Sequence, residues 1–323
     1  MIHSEKKEPL VILTGPTAVG KTELSVRLAE MINGEIISAD SMQVYRRMDI
    51  GTAKVTKEEQ NGIVHHLIDI LEPWEDFNVV EFQKRALDAV QSIRQRGKIP
   101  ILVGGTGFYI QSLLYNVDFT DNDNNTELRK RLELMSESDN GISLHRYLSK
   151  IDPESATEIH PNNRKRVIRA VEFYELTGQK ISEHNREQRQ NEPAFHSAYF
   201  VLNMNRDELY RRIDYRVDYM IQNGLVEEVR RLLAEGCTPE MISMQGLGYK
   251  EIIRYLNGDL TLEEATYILK RDTRHFAKRQ LTWFRREREV IWLEKDQLKP
   301  DLLKQILMIL QEKKIIEEWN TNE

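Results

Sequence analysis

The chain has 323 residues, 40% apolar and 30% charged, which is enough for one large globular domain or two modest ones. Its single cysteine, Cys237, excludes an internal disulfide and a cysteine-based zinc site, and is expected as a small buried side chain near a helix end. No apolar stretch near Glu5-Lys6-Lys7-Glu8 suits a secretory signal and no run of roughly 18 apolar residues suits a membrane span, so a cytoplasmic location is expected. The net charge of −6 argues against a nucleic-acid partner, although local clustering of basic residues matters more than the total.

Residues 10–14, Leu-Val-Ile-Leu-Thr, form an apolar run ending at a glycine and read as a buried strand. Gly15-Pro16-Thr17-Ala18-Val19-Gly20-Lys21-Thr22 follows, then a helical pattern through Leu24, Leu28 and Met31 that stops at Asn33-Gly34. Further strands are expected at 35–39, 66–70 and 99–103, with a helix over 78–96 between the last two. Unbroken apolar strands alternating with helices argue a parallel sheet covered on both faces.

Composition changes near Asp118, where a polar segment runs to Thr126. Helices are expected at 126–137, 142–150, 163–177 and 179–189, and the strand pattern returns at 198–202. The pattern therefore predicts an α/β core of residues 1–117 plus 198–323, with an all-helical insertion at 118–197. The C-terminal part reads as a helix over 206–235 and a second from the capping box Thr261-Leu-Glu-Glu264 to about Arg286. A last strand is expected at 290–293 and a frayed tail over 313–323.

Gly15-x-x-x-x-Gly20-Lys21-Thr22, set between a strand and a helix, has the form of a phosphate-binding P-loop. Glycines let several backbone N–H groups converge on an anion, and the helix N-terminus adds a favourable dipole. Lys21 supplies a point charge, and Thr22 a hydroxyl ligand for Mg²⁺. The motif indicates phosphate rather than ATP. The strand ending at Gly104-Gly105 lacks the acid that nucleotide hydrolases use, and the acid comes instead at Asp40, after the second strand. At the carboxyl edge of a parallel sheet, Asp40 would lie beside the loop and suit a general base; a turn or helix-capping role is the alternative. Thr106, in the turn after the fourth strand, could donate to an oxygen gaining charge on a leaving group, or simply bond its own backbone.

Two basic patches offset the acidic total. Arg164, Lys165, Arg166 and Arg169 open the first, together with Lys180, Arg186 and Arg189. Arg271, Arg274, Lys278 and Arg285 follow helical spacing in the second. Such stripes are commonly solvated faces, and nucleic-acid contact is the competing reading. Trp283 and Phe284, beside these charges, read as core packing, with stacking on bases as the alternative, and His65 and His66 point apart on a strand and make no metal pair.

Taken together, Gly15–Thr22, Asp40-Ser-Met-Gln-Val-Tyr45, Met48-Asp-Ile-Gly-Thr-Ala-Lys54, Gly104-Gly-Thr-Gly-Phe-Tyr109, Gly246-Leu-Gly-Tyr-Lys250 and Ala277-Lys-Arg-Gln-Leu-Thr-Trp283 resemble the bacterial tRNA dimethylallyltransferase family. The resemblance runs from about residue 10 to 295. It implies a P-loop-type core whose loop holds the diphosphate of dimethylallyl diphosphate with Mg²⁺, and an insertion that grips the tRNA anticodon stem-loop. It further implies transfer of the dimethylallyl group to the exocyclic N6 of the adenosine 3′ to the anticodon. Asp40 matches the family's general base, and Thr106 the threonine at the scissile carbon–oxygen bond. Ser41, Met42 and Gln43 match contacts to the target base and its neighbours. Arg216 matches an arginine reaching the diphosphate, with Arg212 as its rival, and Arg129 matches a further tRNA contact. No membrane partner is expected, and a monomer is the working expectation. A P-loop small-molecule kinase, an adenylate isopentenyltransferase and a nucleotide-driven RNA switch are the competing classes.

Overall fold

The structure, a computed structural model, describes residues 7–119, 126–188, 190–295 and 302–317. It divides into two compact units, one formed by the chain up to Leu114 and from Ala194 onward, the other by Tyr115–Pro193.

The first unit is built on β1 (Pro9–Thr14), β2 (Gly34–Ala39), β3 (His65–His66), β4 (Ile99–Gly104), β5 (His196–Asn203) and β6 (Val290–Glu294). Every pairing is parallel, in the order β3-β2-β4-β1-β5-β6. Leu10, Val11, Ile12 and Leu13 are fully buried, as are Phe200 and Val201 on the neighbouring strand. Both faces of the central strands are covered, so their sequences need no polar alternation. The helices of this unit are α1 (Lys21–Met31), α2 (Lys57–Gln60), α3 (Val79–Gln95) and α4 (Gly107–Leu114), with five more after the insertion.

One detail of register governs the site. Gly104 of β4 pairs with Thr14 of β1 on one side and with Ala39 of β2 on the other. Three strands thus end level, and the residues that follow them, Gly15, Asp40 and Gly105, leave the same sheet edge side by side. In open parallel sheets, ligands bind at this carboxyl edge.

The second unit contains α5 (Thr126–Ser138), α6 (Ile142–Ile151), α7 (Pro153–Glu158), α8 (Arg164–Thr177) and α9 (Ile181–Gln188). Its core gathers Leu132, Leu144, Leu148, Val167, Ile168 and Val171. Asp152 is buried within it and accepts from Ser155 N (3.1 Å), Ser155 Oγ (2.7 Å), Ser182 N (3.0 Å) and Ser182 Oγ (2.7 Å). Burial opposes its charge, yet these bonds hold its carboxyl below the ordinary value.

After β5 come α10 (Arg206–Gln222), α11 (Leu225–Ala234), α12 (Tyr249–Leu256), α13 (Leu262–Phe284) and, beyond β6, α14 (Leu302–Glu312). The single helix expected over 206–235 is two helices, parted where Gly224 takes φ +99°. The strand expected over 66–70 stops at His66, because Leu67 (φ 63°) and Asp69 (φ 54°) turn left-handed. The expected insertion boundaries of 118 and 197 shift as well: His196 and Ser197 already pair with Pro9 and Leu10 in β5. Much of the polar segment (120–125), Arg189 and the tail beyond 317 lie outside the described residues. Cys237 is buried just past α11, where burial pushes its thiol up. His65 and His66 serve separate partners, the Ile63 carbonyl and the Glu35 carboxylate. Among the described residues no helix is long and apolar enough to cross a membrane.

Candidate active site

The Gly15–Thr22 loop joins β1 to α1. Gly20 caps α1 with φ +94° and, among the described residues, no side chain satisfies the helix's first N–H groups, so they are open to an anion. Lys21 folds over its own loop, donating to Gly15 O at 3.0 Å and Pro16 O at 2.8 Å. Burial, and then the Arg216 cation, draw its ammonium down to about 7, with Asp40 acting in the opposite direction. Arg216 comes from α10 and donates to Thr17 Oγ1 at 3.4 Å. Burial lowers its pKa too, against the pull of Glu59 and Asp40. Arg212, its rival from sequence, pairs with Glu208 at 3.0 Å on the exposed side of α10. The guanidinium at the loop therefore belongs to Arg216.

Asp40 uses one carboxylate oxygen for its own turn: Oδ1 accepts from Met42 N at 2.8 Å and Gln43 N at 3.3 Å. Among the described residues Oδ2 accepts no hydrogen bond. The turn thus occupies one oxygen of the carboxylate and leaves the other available for the expected base role. Thr106 is anchored by its backbone N–H to Ala39 O at 3.2 Å, and its carbonyl accepts from the first turn of α4. Its hydroxyl bonds nothing among the described residues and is half-exposed at the sheet edge. Ser41 is half-exposed beside Asp40. Gln43 donates to Thr52 O and Ala53 O at 3.4 and 3.3 Å, while the Met42 methyl lies against Gly246.

For Mg²⁺, the residues present fit an ion carried by a phosphate ligand. No group of three or more His, Cys, Asp or Glu among the described residues could cage a metal. The exposed Thr22, in the first turn of α1, offers one hydroxyl oxygen. Mg²⁺ commonly takes its remaining ligands from substrate phosphates and water.

Sequence reasoning missed the residues that hold this edge together. Glu228, buried on α11, accepts from the N–H groups of Asp49 (2.9 Å), Ile50 (2.8 Å) and Gly51 (3.0 Å), and from Tyr249 Oη (2.7 Å). The Lys54 side chain is 5% exposed and reaches Tyr45 O, Asp49 Oδ1 and Asp69 Oδ1 at 2.6–2.7 Å. The motifs at 48–54 and 246–250 are thereby explained as a clamp on the loop after Asp40. Gln280 of α13 was also overlooked. It accepts from Thr17 N and donates to Gly105 O, both at 2.9 Å. A lone glutamine or glutamate in an amphipathic helix carries no signal of such a partner; only its position on the buried face of α13 hinted at one.

The basic residues divide by their partners. Arg274 pairs with Asp214 at 2.6 Å and Arg271 with Asp272 at 2.8 Å. Arg129 and Arg169 both meet the buried Glu172, at 2.9 and 3.5 Å. Lys278 makes no ion pair among the described residues and helps line a cavity of about 410 Å³ with His275, Arg279, Thr282, Trp283 and Arg286. Arg164, Lys165 and Arg166 are exposed in the first turn of α8, also without an ion pair among the described residues. Cations at a helix N-terminus oppose the macrodipole, so together they form an anion-attracting end.

This edge can bind a phosphate-rich group beside two cations, with a carboxylate oxygen and a hydroxyl that are unengaged among the described residues at the same sheet edge. The family model of IPP transferase matches residues 43–287. A protein of Lachnoclostridium phytofermentans named tRNA dimethylallyltransferase is 58% identical over 96% of this chain and 99% of its own. One of the same name from Pelotomaculum thermopropionicum is 52% identical over 91% and 93%. The solved tRNA isopentenylpyrophosphate transferase of Bacillus halodurans superposes with TM-score 0.71 at 45% identity, covering 95% of this chain and 98% of that one. A eukaryotic dimethylallyltransferase acting on tRNA superposes with TM-score 0.82 at 31% identity, covering 96% and 81%.

Proposed function

We propose, from the premise that this chain belongs to the IPP transferase family of tRNA dimethylallyltransferases, that the Gly15–Thr22 loop holds dimethylallyl diphosphate while Asp40 and Thr106 act on either side of the reacting carbon. The chain is a prenyltransferase of tRNA. The names of its relatives support that reading and not the kinase or free-adenylate alternatives.

Adenine's exocyclic amine is a weak nucleophile because its lone pair is delocalised into the ring. The reaction must therefore draw on the donor, whose allylic carbon can share positive charge as diphosphate departs. Lys21, Arg216 and the open N–H groups of α1 stabilise the departing anion; one preorganised donor of this kind is worth about 3–4 kcal/mol. Thr106 donates its hydroxyl to the bridging oxygen. Asp40 Oδ2 takes a proton from the amine as the N6–carbon bond forms and the carbon–oxygen bond breaks. Mg²⁺, held by Thr22 and phosphate oxygens, would further neutralise the diphosphate.

The acceptor is the adenosine 3′ to the anticodon, which must leave its stack; this costs less in a loop than in a duplex. Arg164, Lys165 and Arg166 on the helical unit offer themselves to the phosphates of the anticodon stem-loop, with Arg129 and Arg169 behind them. Lys278, with Arg271 and Arg274, does so on the core. Ser41, Met42 and Gln43 lie beside the base-accepting carboxylate. The protein acts as a monomer in the cytoplasm.

The level ends of β1, β2 and β4 carry this reading, since they bring phosphate loop, carboxylate and hydroxyl to one edge. The test is to incubate the protein with unmodified tRNA, Mg²⁺ and radiolabelled dimethylallyl diphosphate, digest the RNA and identify the labelled nucleoside. Label on N6 of the adenosine next to the anticodon is the expected result. No label on tRNA, with phosphate released from γ-labelled ATP in a parallel incubation, would refute it.

A further inference from the structure

The two sides of α13 do different work. Outward it carries His275, Lys278 and Arg279, and inward it buries Ala277, Gln280 and Phe284. Gln280 is 6% exposed, and its carboxamide is engaged at both ends. Oε1 accepts the Thr17 N–H and Nε2 donates to the Gly105 carbonyl, each at 2.9 Å. One planar group thus spans the P-loop and the residue preceding Thr106.

The fit leaves no slack. A Cβ at Gly105 would lie 2.2 Å from Gln280 Nε2, and one at Gly107 2.2 Å from Trp283 Cδ1. A side chain at either glycine would displace a side chain of α13. The Thr17 N–H is consumed by Gln280, so the open donors for an anion are those nearer α1. A residue needed only to fill space here could be Leu or Met, without the burden of burying an amide.

We propose that Gln280 is a positioning residue for the transfer step, fixing the distance between the diphosphate loop and the Thr106 hydroxyl. This rests on the donor assignment made above. Gln280 is bonded to two backbones and acts through them. Group transfer is sensitive to displacements well below 1 Å at the reacting centre, and a side chain that sets a loop-to-loop distance controls that alignment.

The test is a double-mutant cycle in the full-length protein. Gln280→Met, Thr106→Val and the double variant are assayed for single-turnover transfer at saturating tRNA and dimethylallyl diphosphate, below the melting temperature of every variant. Gln280→Met is expected to slow the step by about tenfold or more, with tRNA Kd unchanged within about twofold. In the Thr106→Val background the same change should cost less than about threefold, because the group being aimed is gone. Gly105→Ala, which displaces the amide from the other end, should show the same non-additivity with Gln280→Met. Equal losses in both backgrounds, or a loss in tRNA affinity alone, would overturn the inference while leaving the functional reading intact. A wild-type protein that prenylates no tRNA would overturn both.

Discussion

Arg216 sits close enough to Lys21 to lower the pKa of the lysine ammonium, adding to the larger effect of burial and bringing it to about 7. Lys21 belongs to the loop itself, and Arg216 reaches the same loop at Thr17 from 199 residues further along the chain. Such a pair is unfavourable without an anion and favourable with one, which is the electrostatic form of a diphosphate site.

Donor binding should therefore be linked to a proton. The diphosphate favours charged Lys21, whose pKa is about 7 in the free protein. Above roughly pH 7.5 the donor's own ionisation is nearly complete. Donor affinity should then fall as pH rises, by up to about tenfold per unit. Binding measured between pH 7.5 and 9 checks this, and Lys21→Arg should flatten the profile. A wild-type affinity independent of pH would contradict the assignment.

Asp40→Asn separates the two duties of Asp40. The amide oxygen can still accept from Met42 and Gln43, so the turn survives, but the proposed base is lost. Turnover should drop by about 10²–10⁴-fold with tRNA affinity nearly unchanged. Asp40→Ala should lose the turn bonds as well and lower the melting temperature. Normal turnover by Asp40→Asn would remove the general-base role.

Glu228→Ala should destabilise the core by about 3 kcal/mol, because three backbone N–H groups and the Tyr249 hydroxyl lose their acceptor inside the protein. Tyr249→Phe removes one of those bonds and should cost about 1 kcal/mol. Denaturant unfolding of both variants ranks them; equal stability to wild type would mean that the clamp is dispensable.

Glu35 provides an acid-stability signature. It is desolvated, yet bonds from Arg96, His66 and Lys98 outweigh this and hold its carboxyl at about 2, below the ordinary 4.5. A depressed folded-state pKa contributes stability that is complete above the unfolded value and fades as pH falls through the folded one. The stability gap between wild type and Glu35→Gln should hence narrow between about pH 4.5 and 2. A constant gap over that window would exclude ionic anchoring by Glu35.

Affinity for tRNA should fall steeply with salt through counterion release. Alanine at Lys165 or Arg166, exposed at the start of α8, should weaken binding and reduce the log–log salt slope by about 1 each if each meets a phosphate. Filter binding from low to physiological salt measures both effects. An unchanged slope would move the RNA contact elsewhere.

The P-loop, Asp40 and Thr106 were legible in the bare sequence because each lies within two residues of the end of an apolar strand, and parallel strands deliver their carboxyl ends to one edge. The loss of strand periodicity after Asp118 also signalled the run of helices from α5 to α9. Contacts across the chain decided the rest. Arg212 and Arg216 are four residues apart and alike in composition, and only the packing of α10 turns one toward Thr17 and the other toward Glu208. Gln280 and Glu228 act on backbone groups 175–263 and 177–179 residues away. A backbone N–H or carbonyl leaves no mark in a sequence, so a side chain whose work is to hold one becomes visible only when the chain is folded.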